Sequence, residues 1–246
     1  MKQLLLLLFV MLALGNMHAQ KIGFWFDTGA KIAYGPTGLL NNNIINDSKY
    51  DHTINTGYGI GAKFGIYYGR YNGVTIDAML NQGKQRFEFT KGEEQNNNHT
   101  INWSTIDMAL LYRMQKASIY FELGPQFSFV NSVTQEIPVI AGAPTDISQF
   151  FNDQYTSAIF GFGGYVLNSN TFTLMFGMRL AYGLTDMISP DGQTAGYPNP
   201  NSENAPYKDY TPTNPVSALF VIEANYGIGY FAKTSCSDRS TFFRFN

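Results

Sequence analysis

The sequence predicts an all-β protein: an eight-stranded antiparallel transmembrane β-barrel of the up-and-down type, its interior filled with polar and charged side chains. Three observations carry this expectation. Apolar and other residues alternate with a period of two in eight separate segments, the pattern of strands whose two faces meet different surroundings. Charged residues are 14% of the chain, against about 25% in soluble domains, while 16 Tyr, 20 Phe and 24 Gly enrich it in aromatic and small residues. Long polar connections alternate with short turns, as in a barrel with loops outside the cell and tight turns in the periplasm. The mean hydropathy of −0.15 fits a chain in which lipid-facing and lumen-facing residues average out.

The first element is a leader. In MKQLLLLLFVMLALGNMHAQ, Lys2 supplies a positive start, Leu4 to Leu14 an apolar run, and Met17-His18-Ala19 a small-residue cleavage site before Gln20. Residues 1–19 therefore read as a secretory signal peptide. The apolar run is shorter than the roughly 20 residues of a spanning helix. Residues 20–233 make the barrel, and 234–246, ending in Phe242-Phe243-Arg244-Phe245-Asn246, are a tail or a short extra strand.

The strands follow in order. Ile22, Phe24, Phe26, Ala30, Ile32 and Tyr34 share one face, opposite Trp25, Asp27, Gly29 and Lys31. Tyr58, Ile60, Ala62, Phe64, Ile66 and Tyr68 oppose Gly57, Gly59, Gly61, Lys63, Gly65 and Tyr67. Val74, Ile76, Ala78 and Leu80 oppose Thr75, Asp77, Met79 and Asn81; Ile106, Met108, Leu110 and Tyr112 oppose Asp107, Ala109, Leu111 and Arg113. In the second half, the opposed faces carry Glu122 and Gln126, then Gly161 and Gly163, then Gly177 and Arg179, then Glu223 and Asn225. The phase slips near Gly83 and between Trp103 and Ile106, where bulges or strand ends are expected. Long connections are expected at about 35–52, 90–100, 132–153 and 187–213, and short turns at 69–73, 115–117 and 168–171.

A soluble ligand-binding barrel would turn its apolar face inward and leave its charges outside. Here the apolar face is nearly free of charge, and the charges share their face with glycine. A barrel of eight strands is too narrow for an aqueous channel, so its inside is filled by side chains. An unpaired charge there costs several kcal/mol. The inward set holds both signs, Asp27, Asp77, Asp107, Glu122 and Glu223 against Lys31, Lys63, Arg113 and Arg179, and is expected to form an interior salt-bridge network. Lys63 is assigned Asp27 or Asp77 as its partner. Interfacial aromatic girdles are expected from Tyr67, Tyr68, Tyr71, Tyr112, Tyr165, Phe172 and Tyr230 on the periplasmic side, and from Tyr34, Trp103, Phe129, Tyr155 and Tyr182 on the outer side.

Other chemistry finds little support. The glycine run before Lys63 lacks the spacing of a phosphate loop, and no helix follows it. A hydrolase at the outer rim would have to use His52 or His99, which have Asp47, Ser48, Asp51, Glu93 and Ser104 near them in sequence, as any solvated loop also would. The stretch DMISPDG (186–192) lacks the spaced ligands of a calcium loop. Neither a metal nor a cofactor is expected. Cys236 is a lone thiol, so no intrachain disulfide forms. The net charge of −2 leaves no basic footprint for nucleic acid.

At TIDMALLYRMQKASIYFELGPQFSFVNS (105–132), Leu110-Leu111-Tyr112 and then Glu122-Leu123-Gly124-Pro125 follow the pattern of two strands around a short turn. In this the chain resembles the PorT-like family of outer-membrane β-barrel domains, related in architecture to the OmpA-type barrel. The proline usual in the first of these strands is absent, with Ala109 near its place. The resemblance implies a barrel in the outer membrane, and PorT itself is tied to a protein-secretion system. The expected function is a monomeric outer-membrane barrel with a structural or surface-interaction role and no open pore. The alternatives are a rim hydrolase and a secretion-system accessory. The expected partners are outer-membrane lipid and surface or secretion-system proteins.

Overall fold

The computed structural model describes residues 23–69, 71–89, 98–137, 143–169, 171–200, 205–233 and 240–244. The leader 1–19, Ile22, Glu93 and Cys236 lie outside the described residues. Eight long strands pair antiparallel in sequence order: β1 (Phe24–Asn41), β2 (Asn55–Tyr68), β3 (Asn72–Phe89), β4 (His99–Lys116), β5 (Ile119–Glu136), β6 (Gln154–Asn168), β7 (Phe172–Gly183) and β8 (Thr213–Lys233). The sheet closes where β1 lies against β8, from Phe24↔Phe231 to Asn41↔Thr213. Closure leaves no open edge in the ring, which is the condition for crossing lipid with strands.

The faces fall as the alternation requires. Ile32, Ile60, Ile76, Leu110, Leu123, Phe162, Phe176 and Ile222, one from each strand, are exposed on the outside. A continuous apolar belt of this kind greatly exceeds the patches a soluble protein leaves uncovered, so its solvent is hydrocarbon. Tyr67, Trp103 and Tyr155 do not join the aromatic girdles, because they are buried in the lumen. Tyr165 is turned to the lumen as well, where its hydroxyl meets Gln115. Tyr34, Tyr68, Tyr112, Phe129, Phe172 and Tyr182 do lie exposed on the outside, whereas Tyr71 and Tyr230 line the periplasmic mouth of the lumen beside Trp25, Tyr230 because the β1–β8 register shifts at Phe26/Asp27.

The strands run further outward than expected. β1 continues through Gly35 and Pro36 to Asn41, and β5 reaches Glu136. A strand of 18 residues rises about 45 Å along the axis of a tilted barrel, while the apolar band needs about 25 Å. The surplus stands above the membrane, and there the two faces keep their positions and exchange their polarity. On β3, Lys84 and Arg86 point outward while Phe87 and Phe89 are buried inside. On β4, Asn102 and Ser104 alternate with the buried Ile101 and Trp103.

That inversion accounts for the slip expected near Gly83. The β3–β4 register runs unbroken from Asn72↔Met114 to Phe87↔His99, so no bulge lies there. A Cβ on Gly83 would sit 2.2 Å from the Trp103 ring, so glycine is what admits the indole. The second slip does coincide with a register shift, between Ser104 and Thr105. Its extra residue is Asn131 on β5, because Ser104 pairs with Ser132 and Thr105 with Val130.

Over the outer mouth, Leu39, Ile44, Phe87, Ile101, Val133 and Ile188 belong to one buried apolar cluster. It joins the strand tops to α1 (Asn42–Ile45), to a 3-10 turn at Ser148–Phe150 and to the loop before β8, which carries α2 (Pro190–Thr194). The described parts of the first, third and fourth long connections are thus packed into a cap. At the periplasmic end the tail forms β9 (Ser240–Arg244), paired with β8 from Gly229↔Arg244 to Lys233↔Ser240. It covers the edge that β7 leaves free below Phe172↔Tyr226, and the ring of eight is unchanged.

Candidate functional site

The lumen at membrane level is filled by charge. β1 presents Asp27 and Lys31, β2 Lys63, β3 Asp77, β4 Arg113, β5 Glu122, β7 Arg179 and β8 Glu223, all buried. Glu223 meets Arg113 at 2.6 Å, and Arg113 meets Glu122 at 2.7 Å. Glu122 meets Arg179 at 2.6 Å, and Arg179 meets Asp77 at 2.7 Å. Asp77 meets Lys31 at 2.5 Å, and Lys31 returns to Glu223 at 3.0 Å. These six residues form a closed circuit of alternating sign that crosses the barrel. Lys63 hangs from it, 3.0 Å from Glu223 and 2.9 Å from Asp27, and also donates to the Tyr67 hydroxyl at 3.1 Å. Asp77, the other partner assigned to Lys63, binds Lys31 and Arg179 instead.

Asp107 stands apart from the circuit. Its Oδ2 accepts from the side-chain amides of Asn81 and Gln126 rather than from a cation. Other groups around the circuit escaped the sequence reading as its supports. The Arg113 guanidinium lies over the Tyr120 ring at 4.6 Å, and Asn225 Nδ2 donates to Glu223 Oε1 at 2.7 Å. Met79 and Met175 bring thioethers to Arg179 and Arg113, at 3.7 Å and 3.9 Å. Their membership of the inward face was the only sequence signal available. β6 contributes room rather than charge: a Cβ on Gly161 would lie 2.5 Å from Glu122 Cγ.

Such an arrangement can hold a barrel shut and rigid. Its carboxylates are engaged by cations and its cations by carboxylates, so no acid, base or nucleophile is left poised toward a cleft.

The cap is the second candidate region. His99 is fully buried there, stacked on Phe87 at 4.9 Å. Its Nε2 lies 3.0 Å from the Pro198 carbonyl, which can only accept, so that nitrogen carries the hydrogen. The backbone of His52 pairs with β3 opposite Phe87. Asp47 accepts from the Lys49 backbone N–H, and Ser104 sits half-buried on β4. Asp186, from the DMISPDG stretch, accepts from the backbone N–H groups of Ile188 and Thr213 at 3.0 Å each. It also accepts from the Tyr210 hydroxyl at 2.7 Å. Burial and this bond to a carboxylate push the Tyr210 phenol above its ordinary pKa. Ser189 caps α2 through the Gly192 N–H. Among the described residues no group of three or more His, Cys, Asp or Glu could hold a metal ion.

The closed ring, the apolar belt and the polar collar are those of a protein integral to an outer membrane. No family model matches the chain. No curated protein matches it. Among solved structures the chain is similar to Ail, the attachment invasion locus protein of Yersinia pestis, in its complex with the heparin analogue sucrose octasulfate. The identity is 11% over 82% of this chain and 98% of that one, with a TM-score of 0.38. It is similar to the outer membrane protein OprG from Pseudomonas aeruginosa at 13% identity, covering 83% and 95%, with a TM-score of 0.37. It is also similar to the outer membrane protein AlkL in lipid bilayers, at 10% identity, covering 89% and 94%, with a TM-score of 0.32.

Proposed function

We propose that the protein is a closed, monomeric outer-membrane barrel that presents its packed outer cap as an interaction surface and conducts no ions. The observation that carries this reading is the circuit from Glu223 through Arg113, Glu122, Arg179, Asp77 and Lys31, whose side chains meet across the lumen. The apolar cap core seals the outer mouth above it. Planar-bilayer recordings test the claim: the refolded barrel is expected to give no stable conductance, and a stable, large one would overturn it.

A hydrolase role draws no support from His99, whose burial and bond to Pro198 keep it from a substrate. His52 is the histidine on which that alternative now depends. The resemblance at 105–132 supports a further alternative, a PorT-like accessory of a secretion system. Reproducible co-purification of secretion components with the barrel would favour it over a free-standing surface protein.

A further inference from the structure

Below the ion circuit the lumen opens again. A cavity of about 950 Å³ lies between the circuit and the periplasmic mouth. Asp27, Asn225 and Met175 line its inner end. Behind them Lys63 is bound to Asp27, and Glu223 to Asn225. This vestibule is therefore entered from the end that carries the short turns.

Trp25, Tyr71, Tyr165 and Tyr230 bring aromatic rings to its wall. A bulge delivers the last of them. Phe26 pairs with Gly229 and Asp27 with Gly227, so Ile228 is the extra residue, and Tyr230, opposite Trp25, changes to the inward face. The indole of Trp25 is held in place, stacked on Tyr67 at 3.8 Å with its Nε1 donating to the Gly69 carbonyl at 3.1 Å. The Tyr165 hydroxyl meets Gln115, which also lines the vestibule. These groups are fixed before a ligand arrives, which lowers the cost of binding one.

The polar groups select the ligand. Among the described residues that line the vestibule, Asp27 is the one carboxylate and Lys116 the one cation. Lys63 already pairs with Asp27 at 2.9 Å and with Glu223 at 3.0 Å. A cationic ligand would meet that lysine, and an anionic one would meet the two carboxylates. A wholly apolar ligand would strip water from Asp27, Asn225 and Gln115 without replacing its hydrogen bonds. Asp27 Oδ1 and Asn225 Oδ1 accept from no described group, so donors are what the inner end lacks. We propose that the vestibule is a binding site for a neutral mono- or disaccharide, its C–H faces against the aromatic rings and its hydroxyls toward Asp27, Asn225 and Gln115. The size fits, since small-molecule sites run to about 300–1,000 Å³. A free sugar and the end of a cell-wall glycan share this chemistry and differ in N-acetylation.

Calorimetric titration of the refolded barrel tests it, in a detergent without a sugar headgroup and with maltose and the N-acetylglucosamine disaccharide as probes. Saturable binding of one disaccharide per barrel is expected from at least one of them. Binding of maltose assigns the site to free sugar, and binding of the acetylated probe alone assigns it to a glycan end. The chain has two tryptophans, so in a Trp103→Phe variant the fluorescence of Trp25 should change with the same saturation curve. Tyr71→Ala and Tyr230→Ala should each raise the half-saturating concentration about fivefold. The de-acetylated, doubly cationic form of the second probe should fail to saturate. Heat-modifiable migration on gels checks that each variant is folded, and a leucine at the same position replaces any alanine variant that is not. Absence of saturable binding by both neutral probes would overturn the site. So would rim variants that bind like the wild type, or a cationic disaccharide that binds as tightly as the neutral one.

Discussion

The same eight strands build two regions with opposite insides. At membrane level the lumen holds the Glu223–Arg113–Glu122–Arg179–Asp77–Lys31 circuit, and Ile76, Leu110 and Ile222 face outward. One level higher the inside is Phe87, Ile101 and Val133, and the outside carries Lys84, Arg86 and Asn102. Backbone parity is unbroken between the two on β3 and β4. What changes is the solvent around the wall. Hydrocarbon demands an apolar exterior and leaves the lumen to groups that must satisfy one another. Water permits a polar exterior, so the interior can be an ordinary apolar core.

The largest expected effect tests the lower region. Among the described residues Glu223 is the one carboxylate that touches three cations, Lys31, Lys63 and Arg113. Glu223→Ala should cost about 4 kcal/mol, since it leaves buried charge uncompensated. The urea midpoint of the refolded barrel would fall sharply, and a midpoint close to wild type would mean that the lumen admits water. A pair of lysine substitutions on one strand then locates the boundary. Leu110→Lys should cost about 3 kcal/mol in the apolar band, whereas Ser104→Lys, in the collar, should cost less than about 1 kcal/mol. Equal costs measured by the same unfolding assay would erase the distinction between the regions. The cap gives a smaller effect than either substitution at membrane level. Ile101→Ala opens a cavity in the cluster and should cost about 2 kcal/mol locally. Proteolysis of the outer loops should accelerate while the heat-modifiable gel shift persists, because the ion-paired level lies below.

The barrel and its inward set were legible because a strand repeats every two residues, and lipid tolerates almost no charge on the face it touches. Lys31, Lys63, Arg113 and Arg179 announced themselves by sharing a face with glycine. Two things were not legible. The polarity inversion looked like a slip at Gly83, because an exchange of solvent and a one-residue shift of register write the same pattern. Lys84 and Arg86 falling between Phe87 and Gly83 were the trace of it. Which of its two candidate carboxylates Lys63 takes was also hidden, since both strands flanking β2 offered one on the same face; Asp27 takes it and Asp77 does not, and the contact with Glu223 had no signal at all.

Sequence by itself determined the strand count of the ring, the two-faced alternation at membrane level and the inventory of charges the lumen must reconcile, because all three follow from periodicity and from the cost of burying charge. Tertiary structure alone decided which charges meet, that Asp107 is answered by amides instead of a cation, and that the described loop segments pack into a cap. Those outcomes depend on how the ring closes and how far the strands outrun the membrane, and both are set by distances between residues far apart in the chain.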